Sequence, residues 1–410
     1  MRIAQISLFT PTATNIKGAS ALPYHLMKVR DEDVELDVWT FNLNECSAEQ
    51  IAKSEEELDI KIHVVPVSRK QKWLSPAIVR LFLPYPFQYY LNIPKQIIAD
   101  VKLYLGNDTN NGVWIYGEDL ARHITKFLEY KCVVTTPDCE AMYYYRMFAE
   151  KGVPTSWKSL IRYGLMYHRY AKMESEFPKG MNVKYHLVGK EDTQFLKNIN
   201  NGIDARFIRH PHYDIVNSQL LKEKVDSDID RSRKLRLLIA GRYDIYMRDA
   251  VDETISVMRT VADRIRDKYH ITFLGKSWEV CVQQLSNAGF SVEKKEYVED
   301  YVAEVSSHDI QLTPIFVGTG TKGKVLDAFA NGLMVMGTLR ALENIAVESG
   351  ISCVQYNTSE ELESWLLALA DGDGKQRVKA IAKVGHEAVL KEHGREMVAK
   401  EFFRLFKACD

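Results

Sequence analysis

Residues 314–333 read PIFVGTGTKGKVLDAFANGL: an apolar run, glycines interleaved with lysines, then a helical pattern opening near Lys324. Apolar strands are expected on both sides of it, at Ile310–Pro314 and Leu333–Thr338. Continuous apolar strands alternating with helices are the signature of a parallel sheet in an α/β domain. Working outward, the chain starts twice. Met1–Phe9 (MRIAQISLF) is an apolar strand that runs into a Gly/Ser/Thr-bearing loop and a helix near Leu22–Arg30, and Leu235–Arg242 (LRLLIAGR) repeats the event before a helix over Ala250–Lys268. Further strands are predicted at Val34–Phe41, Ile60–Val67, Val113–Gly117, Cys132–Thr136 and Val183–Val188, then at Ile271–Gly275, near Val292 and at Cys353–Tyr356. Helices are predicted at Pro94–Leu105, Leu160–Phe177, Trp278–Ala288, Lys324–Asn331 and Glu360–Leu369.

The fold class that follows is α/β, with two Rossmann-like, doubly wound parallel-sheet domains facing across a cleft. Open α/β sheets bind ligands beyond their strand C-termini. Lys222–Lys234 (KEKVDSDIDRSRK) carries nine charges in thirteen residues, which reads as a solvated linker or a helix end. The expected division is a first domain over 1–215, a charged linker over 216–234, a second domain over 235–390, and a terminal helix over 391–410 that crosses back to the first domain. In that helix Val398, Phe402, Leu405 and Phe406 share one face and need a surface to cover them.

Composition narrows the function classes. The 410 residues hold 54 Lys plus Arg against 55 Asp plus Glu, which argues against a protein that coats nucleic acid. No apolar run approaches the roughly 18 residues of a membrane span. Six cysteines without CxxC spacing suit reduced thiols in a cytoplasmic protein, so neither a disulfide scaffold nor a zinc site is expected. His210-Pro-His212 has no Cys/His partners at ligand spacing and is read as a turn.

Gly318, Gly320 and Gly323 satisfy GxGxxG, with Glu343 about 20 residues on, but a dinucleotide fingerprint follows the first strand of its domain and this one follows a later strand. Gly318–Lys324 also fits GxxxxGK, yet Val325 stands where a phosphate loop needs a hydroxyl for Mg²⁺. What both motifs share survives: small residues, a helix N-terminus, and the charges of Lys322 and Lys324 make a phosphate site.

GTGTKGKVLDAFANGLMVMGT resembles the donor-binding segment of retaining glycosyltransferases of family 4, which have the two-domain GT-B fold. That segment usually reads GxGT, a basic residue, KVLEAMA, a small residue and Gly, then an apolar strand ending in Thr. LIAGR (238–242), His308–Pro314 and the N-terminal strand with Gly18-Ala-Ser20 resemble other parts of the family's chain. The resemblance implies that Lys324 and Arg242 clamp the diphosphate of a nucleotide sugar, with Gly241, Gly318, Gly320 and Thr321 beside it. Asp327, where members usually have Glu, would accept from the ribose hydroxyls. Thr319 stands where many members carry a further Glu, and Met247 stands where a lysine commonly follows the Gly-Arg, with Arg248 next to it. On the acceptor side it implies Gly18, Ser20 and Glu118, and Asp138 as a catalytic group. Pro137 occupies the place of the family's cleft histidine, and Asp119 is a further cleft candidate.

The expected activity is sugar transfer from a UDP or GDP sugar to a polysaccharide or lipid-linked glycan, with retention and with no cofactor or metal. Lys324 and Arg242 act as catalysts by stabilising the leaving phosphate. Two alternatives stand beside it: a nucleotide-sugar epimerase of the same fold, told apart by turnover without acceptor, and a catalytically inactive GT-B binding protein, excluded by any donor turnover. Ser68–Ala99 and Lys151–Met173 hold basic and aromatic residues without an acid, which suits peripheral contact with the anionic inner face of the cytoplasmic membrane. Nucleic acid is not an expected partner.

Overall fold

The computed structural model describes residues 1–16, 19–67, 82–149, 156–244 and 247–407. Gly18, Lys151 and the 68–81 part of the first basic stretch lie outside the described residues. The chain divides into two compact units, one of Met1–Tyr145, Ile161–Pro211 and Arg395–Asp410, the other of Arg146–Leu160 and His212–Gly394.

Unit 1 is built on a seven-stranded parallel sheet. Its strands are β1 (Arg2–Ser7), β2 (Glu35–Thr40), β3 (Lys61–Val64), β4 (Gly112–Tyr116), β5 (Lys131–Thr135), β6 (Val183–Leu187) and β7 (Ala205–Phe207), in the order β3-β2-β1-β4-β5-β6-β7. Ile3 pairs with Leu36 on one side and Gly112 on the other, so the first strand is interior. Both faces are buried from Ile3 onward, which is why Ile3, Ala4 and Ile6 are apolar, and Gln5 and Ser7 are buried with them. Ala4, Ile6, Val113, Ile115 and Val134 face one core, and Ile3, Trp114 and Val133 face the other.

The second of these cores is closed by the C-terminal helix Arg395–Phe403, which belongs to unit 1. Phe402 lies with its ring centroid 4.6 Å from that of Trp114 and 5.0 Å from that of His186. Phe406 packs so tightly on Gly112 that a Cβ there would meet its ring at 2.4 Å. The stripe differs slightly from the sequence reading: Phe403 is buried with Val398, Phe402 and Phe406, while Leu405 is only partly covered.

Unit 2 repeats the plan with six strands: β8 (Leu235–Ala240), β9 (Tyr269–Leu274), β10 (Ser291–Lys295), β11 (Ile310–Thr313), β12 (Met334–Gly337) and β13 (Val354–Gln355), in the order β10-β9-β8-β11-β12-β13. Leu237, Ile239, Phe273 and Met336 line one face, and Leu238, Val335, Leu326 and Phe329 the other. Running into the charged stretch, Ser218–Asp226 forms a helix with Leu221 buried, and the Lys224 ammonium donates to the His308 carbonyl at 2.8 Å.

Phe402→Ala is expected to lower the stability of unit 1 by about 3–5 kcal/mol, the usual cost of emptying a core phenylalanine site. Urea denaturation followed by near-ultraviolet circular dichroism measures it. A loss below ~1 kcal/mol would mean that the terminal helix does not close this core.

Candidate functional site

In each sheet the chain order reverses next to the first strand, between β1 and β4 in unit 1 and between β8 and β11 in unit 2. At such a switch point the loops after the two strands leave in opposite directions and open a crevice. In unit 2 the loop after β8 carries Gly241 and Arg242, and the loop after β11 is the glycine-rich segment.

The β8 loop is set by two glycines. Gly241 takes φ +151° and Gly275 takes φ +124°, and a Cβ on Gly275 would stand 1.9 Å from the Gly241 carbonyl oxygen. Only a residue without a side chain allows that approach. The Gly241 N–H donates to the Leu274 carbonyl at 2.9 Å, and the Trp278 indole donates to the Gly241 carbonyl at 3.2 Å. Arg242 is left exposed. Met247 is buried, with its sulfur close under Gly241, while Arg248 is exposed with its guanidinium 5.9 Å from the Tyr243 ring centre.

The glycine-rich loop turns into the helix Gly323–Ala330. Gly320 supplies its left-handed turn at φ +60°. The two lysines part company here. Lys322 folds back and donates to the carbonyls of Thr319 at 2.5 Å and Gly320 at 3.2 Å, so it ties the loop to itself. Lys324, in the first turn, is exposed. The packed surroundings of its stem depress its pKa, and Asp327 partly restores it. Asp327 lies one turn further on the same helix face, half-buried. Burial pushes its carboxyl up to about 7, against the opposing pull of the Tyr213 N–H, at 3.4 Å, and of Lys324. Asn331, fully buried, accepts from the Val216 N–H at 2.8 Å and so fixes the segment over Asp327.

Glu343, the acid considered for a dinucleotide ribose, is occupied. Arg146, grouped with unit 2, pairs with it through two bonds of 2.7 and 2.9 Å, and Arg340 adds a third of 2.7 Å. Arg146 also donates to the Gly318 carbonyl at 2.6 Å. Both partners are buried, so the pair is strongly directional and holds the start of the glycine loop. Sequence spacing gives no sign of Arg146, 197 residues from its partner.

In unit 1 the acids gather beyond β4 and β5. Glu118 and Asp119 follow Gly117, which takes φ +115°, and Asp138 and Glu140 follow Pro137. Burial, reinforced by Asp138, raises the Glu118 carboxyl, and burial with Glu118 and Asp138 raises Glu140 further. Asp119 is 4% exposed, and its Oδ1 has no hydrogen-bond partner. Two acids missed in the sequence hold this loop. Glu174 accepts from the Glu140 N–H at 2.8 Å and from the Cys139 thiol at 3.1 Å, and Asp192 accepts from the Cys139 N–H at 2.8 Å. Glu174 thereby supplies the acceptor at the start of the helix Glu140–Ala149, and burial raises its own carboxyl to about 8. Ser20 is fully buried; its hydroxyl pairs with that of Thr12 at 2.8 Å and accepts from the Ile16 N–H at 3.2 Å, so it shapes its own loop.

The five described cysteines are free and buried. His210 and His212 each place Nδ1 against a backbone carbonyl, of Pro211 and Tyr213, as in a turn. Among the described residues no group of three or more His, Cys, Asp or Glu side chains is arranged to hold a metal ion.

No protein-family model and no curated protein matches the sequence. Solved structures match along its whole length. A sucrose-phosphate synthase from Thermosynechococcus elongatus aligns with a TM-score of 0.67 at 11% identity, covering 99% of this chain and 98% of that one. Anabaena HepE in complex with UDP gives 0.64 at 10% identity, over 98% and 99% of the two chains. WaaG, a glycosyltransferase involved in lipopolysaccharide biosynthesis, gives 0.61 at 14% identity, over 99% and 100%. Likeness at such identities is one of fold. With its two parallel α/β sheets, the chain has the GT-B fold that the glycine-rich segment led us to expect.

Proposed function

We propose that this chain is a glycosyltransferase that moves a sugar from a UDP or GDP sugar to a polysaccharide or lipid-linked glycan, with retention of configuration. The observation that carries the reading is the placing of Lys324 and Asp327 on one face of the helix that follows the glycine loop at the switch point of unit 2. A cation in the first helical turn suits a diphosphate, and an acid one turn on suits a ribose diol. The complexes of the similarly folded HepE with UDP and with UDP-glucose support such a donor.

In this reading the anomeric carbon–oxygen bond to the β-phosphate breaks, and negative charge gathers on the leaving diphosphate. Lys324, Arg242 and the amides of Gly320 and Thr321 stabilise that charge, which makes a divalent ion unnecessary. A phosphate oxygen takes the proton of the attacking acceptor hydroxyl on the face the diphosphate leaves, so configuration is retained. Glu118 and Asp138 belong to the acceptor side. Ser20 is read as structural, since its hydroxyl is already committed to its loop. A lipid-linked acceptor brings the protein to the inner face of the cytoplasmic membrane, and no helix among the described residues is long and apolar enough to cross it.

Lys324→Ala should weaken UDP or GDP binding by about 10–100-fold in titration calorimetry, the ~1.5–3 kcal/mol of a charge-assisted bond. Unchanged affinity would remove the donor assignment. Asp327 gives a second test through pH. Its folded pKa of about 7 lies above the ordinary aspartate value, so the native state binds the extra proton between about pH 4 and 7. Stability from this group is therefore full at the acidic end and is lost as pH rises through 7. Nucleotide affinity should move the opposite way, rising through pH 7 as the carboxylate that accepts from ribose forms. Asp327→Asn should flatten both profiles, and a wild-type affinity indifferent to pH between 5.5 and 8.5 would detach Asp327 from the ribose.

A further inference from the structure

We infer that the N-terminal half of the helix Trp157–Ser175 is a docking face for an anionic phospholipid surface. The inference rests on the lipid-linked acceptor proposed above and names the surface that would meet the membrane. Trp157 is 67% exposed, Ile161 63%, Leu160 39% and Leu165 38%, an unusual concentration of open apolar surface on one helix. Their spacing of i, i+3, i+4 and i+8 puts all four on one side. The opposite side is spent on the fold, where Tyr163, Tyr170 and Met173 are buried. Tyr144 stacks on Tyr170 there, with centroids 5.3 Å apart.

Charge decides what covers the open side. Lys158 and Arg162, both exposed, form one edge of the apolar arc, and the Lys158 ammonium lies 5.6 Å from the Trp157 ring centre. From Lys151 through Met173 the sequence has no Asp or Glu. The first acid to follow, Glu174, is buried under the helix Glu140–Ala149 and adds nothing to the surface. An acidic protein partner could satisfy the cations, but it would leave the tryptophan and isoleucine without matching apolar surface. A bilayer interface supplies both layers: phosphates for Lys158 and Arg162, acyl chains just beneath for Ile161, and the headgroup level that tryptophan favours. At the far end of the helix Lys172 lies 4.7 Å from the Tyr85 ring centre, and Tyr85 donates to Glu176 at 2.7 Å. This tethers the chain that includes Phe82, itself 82% exposed.

The experiment is flotation of the full chain with phosphatidylcholine vesicles, with and without 30% (about a third) phosphatidylglycerol. Binding is expected only with the anionic lipid, and it should fall as salt rises because the Debye length shrinks. Trp157→Ala with Ile161→Ala should lower binding at least ~10-fold at constant charge, and Lys158→Glu with Arg162→Glu should abolish the dependence on anionic lipid. Nucleotide affinity should be unchanged in both pairs, which shows that the variants are folded. Conversely Lys324→Ala should float like the parent, so that failure of the docking face and failure of the donor assignment are separable. Equal flotation of parent and Trp157/Ile161 variant overturns the inference. So does a parent that ignores vesicles but sediments as a dimer that the same variant makes monomeric, since a second copy would then be what covers the face.

Discussion

Each sheet in this protein begins in its middle. Because β1 and β8 are interior strands with neighbours on both sides, the chain must cross over in one direction and later return to build in the other. Parallel strands joined this way send their loops apart at the reversal, and backbone amides are exposed there without being used by the sheet. The residues proposed for the donor, Arg242 and the glycine loop, follow β8 and β11 at the reversal in unit 2, and Glu118 follows β4 at the reversal in unit 1. The Gly241–Gly275 approach serves the same end. It lets the β8 loop turn sharply enough that Arg242 emerges exposed at the strand end rather than packing onto β9.

The fold was legible because both faces of each sheet are covered. Strands such as LRLLIAG and RIAQIS carry their signal in composition alone, and the helix after Gly323 carries it in periodicity. β7 was missed because its three residues, Ala205–Phe207, include an exposed arginine and are too few to form a pattern. The donor loop was legible for a local reason, since glycines, lysines and helix start all fall within a few residues. Its support was not. Arg146 reaches Gly318 and Glu343 from more than 170 residues away, and Glu174 reaches Glu140 from 34. Buried long-range partners leave no spacing to read, because each is fixed by packing rather than by chain neighbours.

Lys322 shows the opposite case, a local charge whose direction the sequence does not reveal. Charge and proximity group it with Lys324 as a phosphate ligand, but its ammonium reaches two carbonyls of its own loop, those of Thr319 and Gly320. An ammonium with three donors satisfies them best when it folds inward. Lys322 thus contributes rigidity to the loop, and the positive charge presented outward is concentrated on Lys324 and the helix end. A single well-placed cation in a preorganised loop has less reorganisation to undergo when an anion arrives than two mobile ones do.

The titration behaviour of the two units then makes one consistent picture of charge. The packed surroundings of its stem lower the pKa of Lys324, and burial raises that of Asp327, so each holds its charge less firmly than it would in water. In the proposed reading a diphosphate beside Lys324 would restore its charge by direct attraction. A ribose diol donating to Asp327 would favour the carboxylate and offset the cost of desolvating it. In unit 1, Glu118, Glu140 and Glu174 are raised by burial and by one another, with no cation among the causes. Carboxyls raised in this way carry their charge less readily than they do in water, so the loop repels an anion less than its sequence suggests. What ties the loop together is Glu174, which accepts from the Glu140 N–H and the Cys139 thiol.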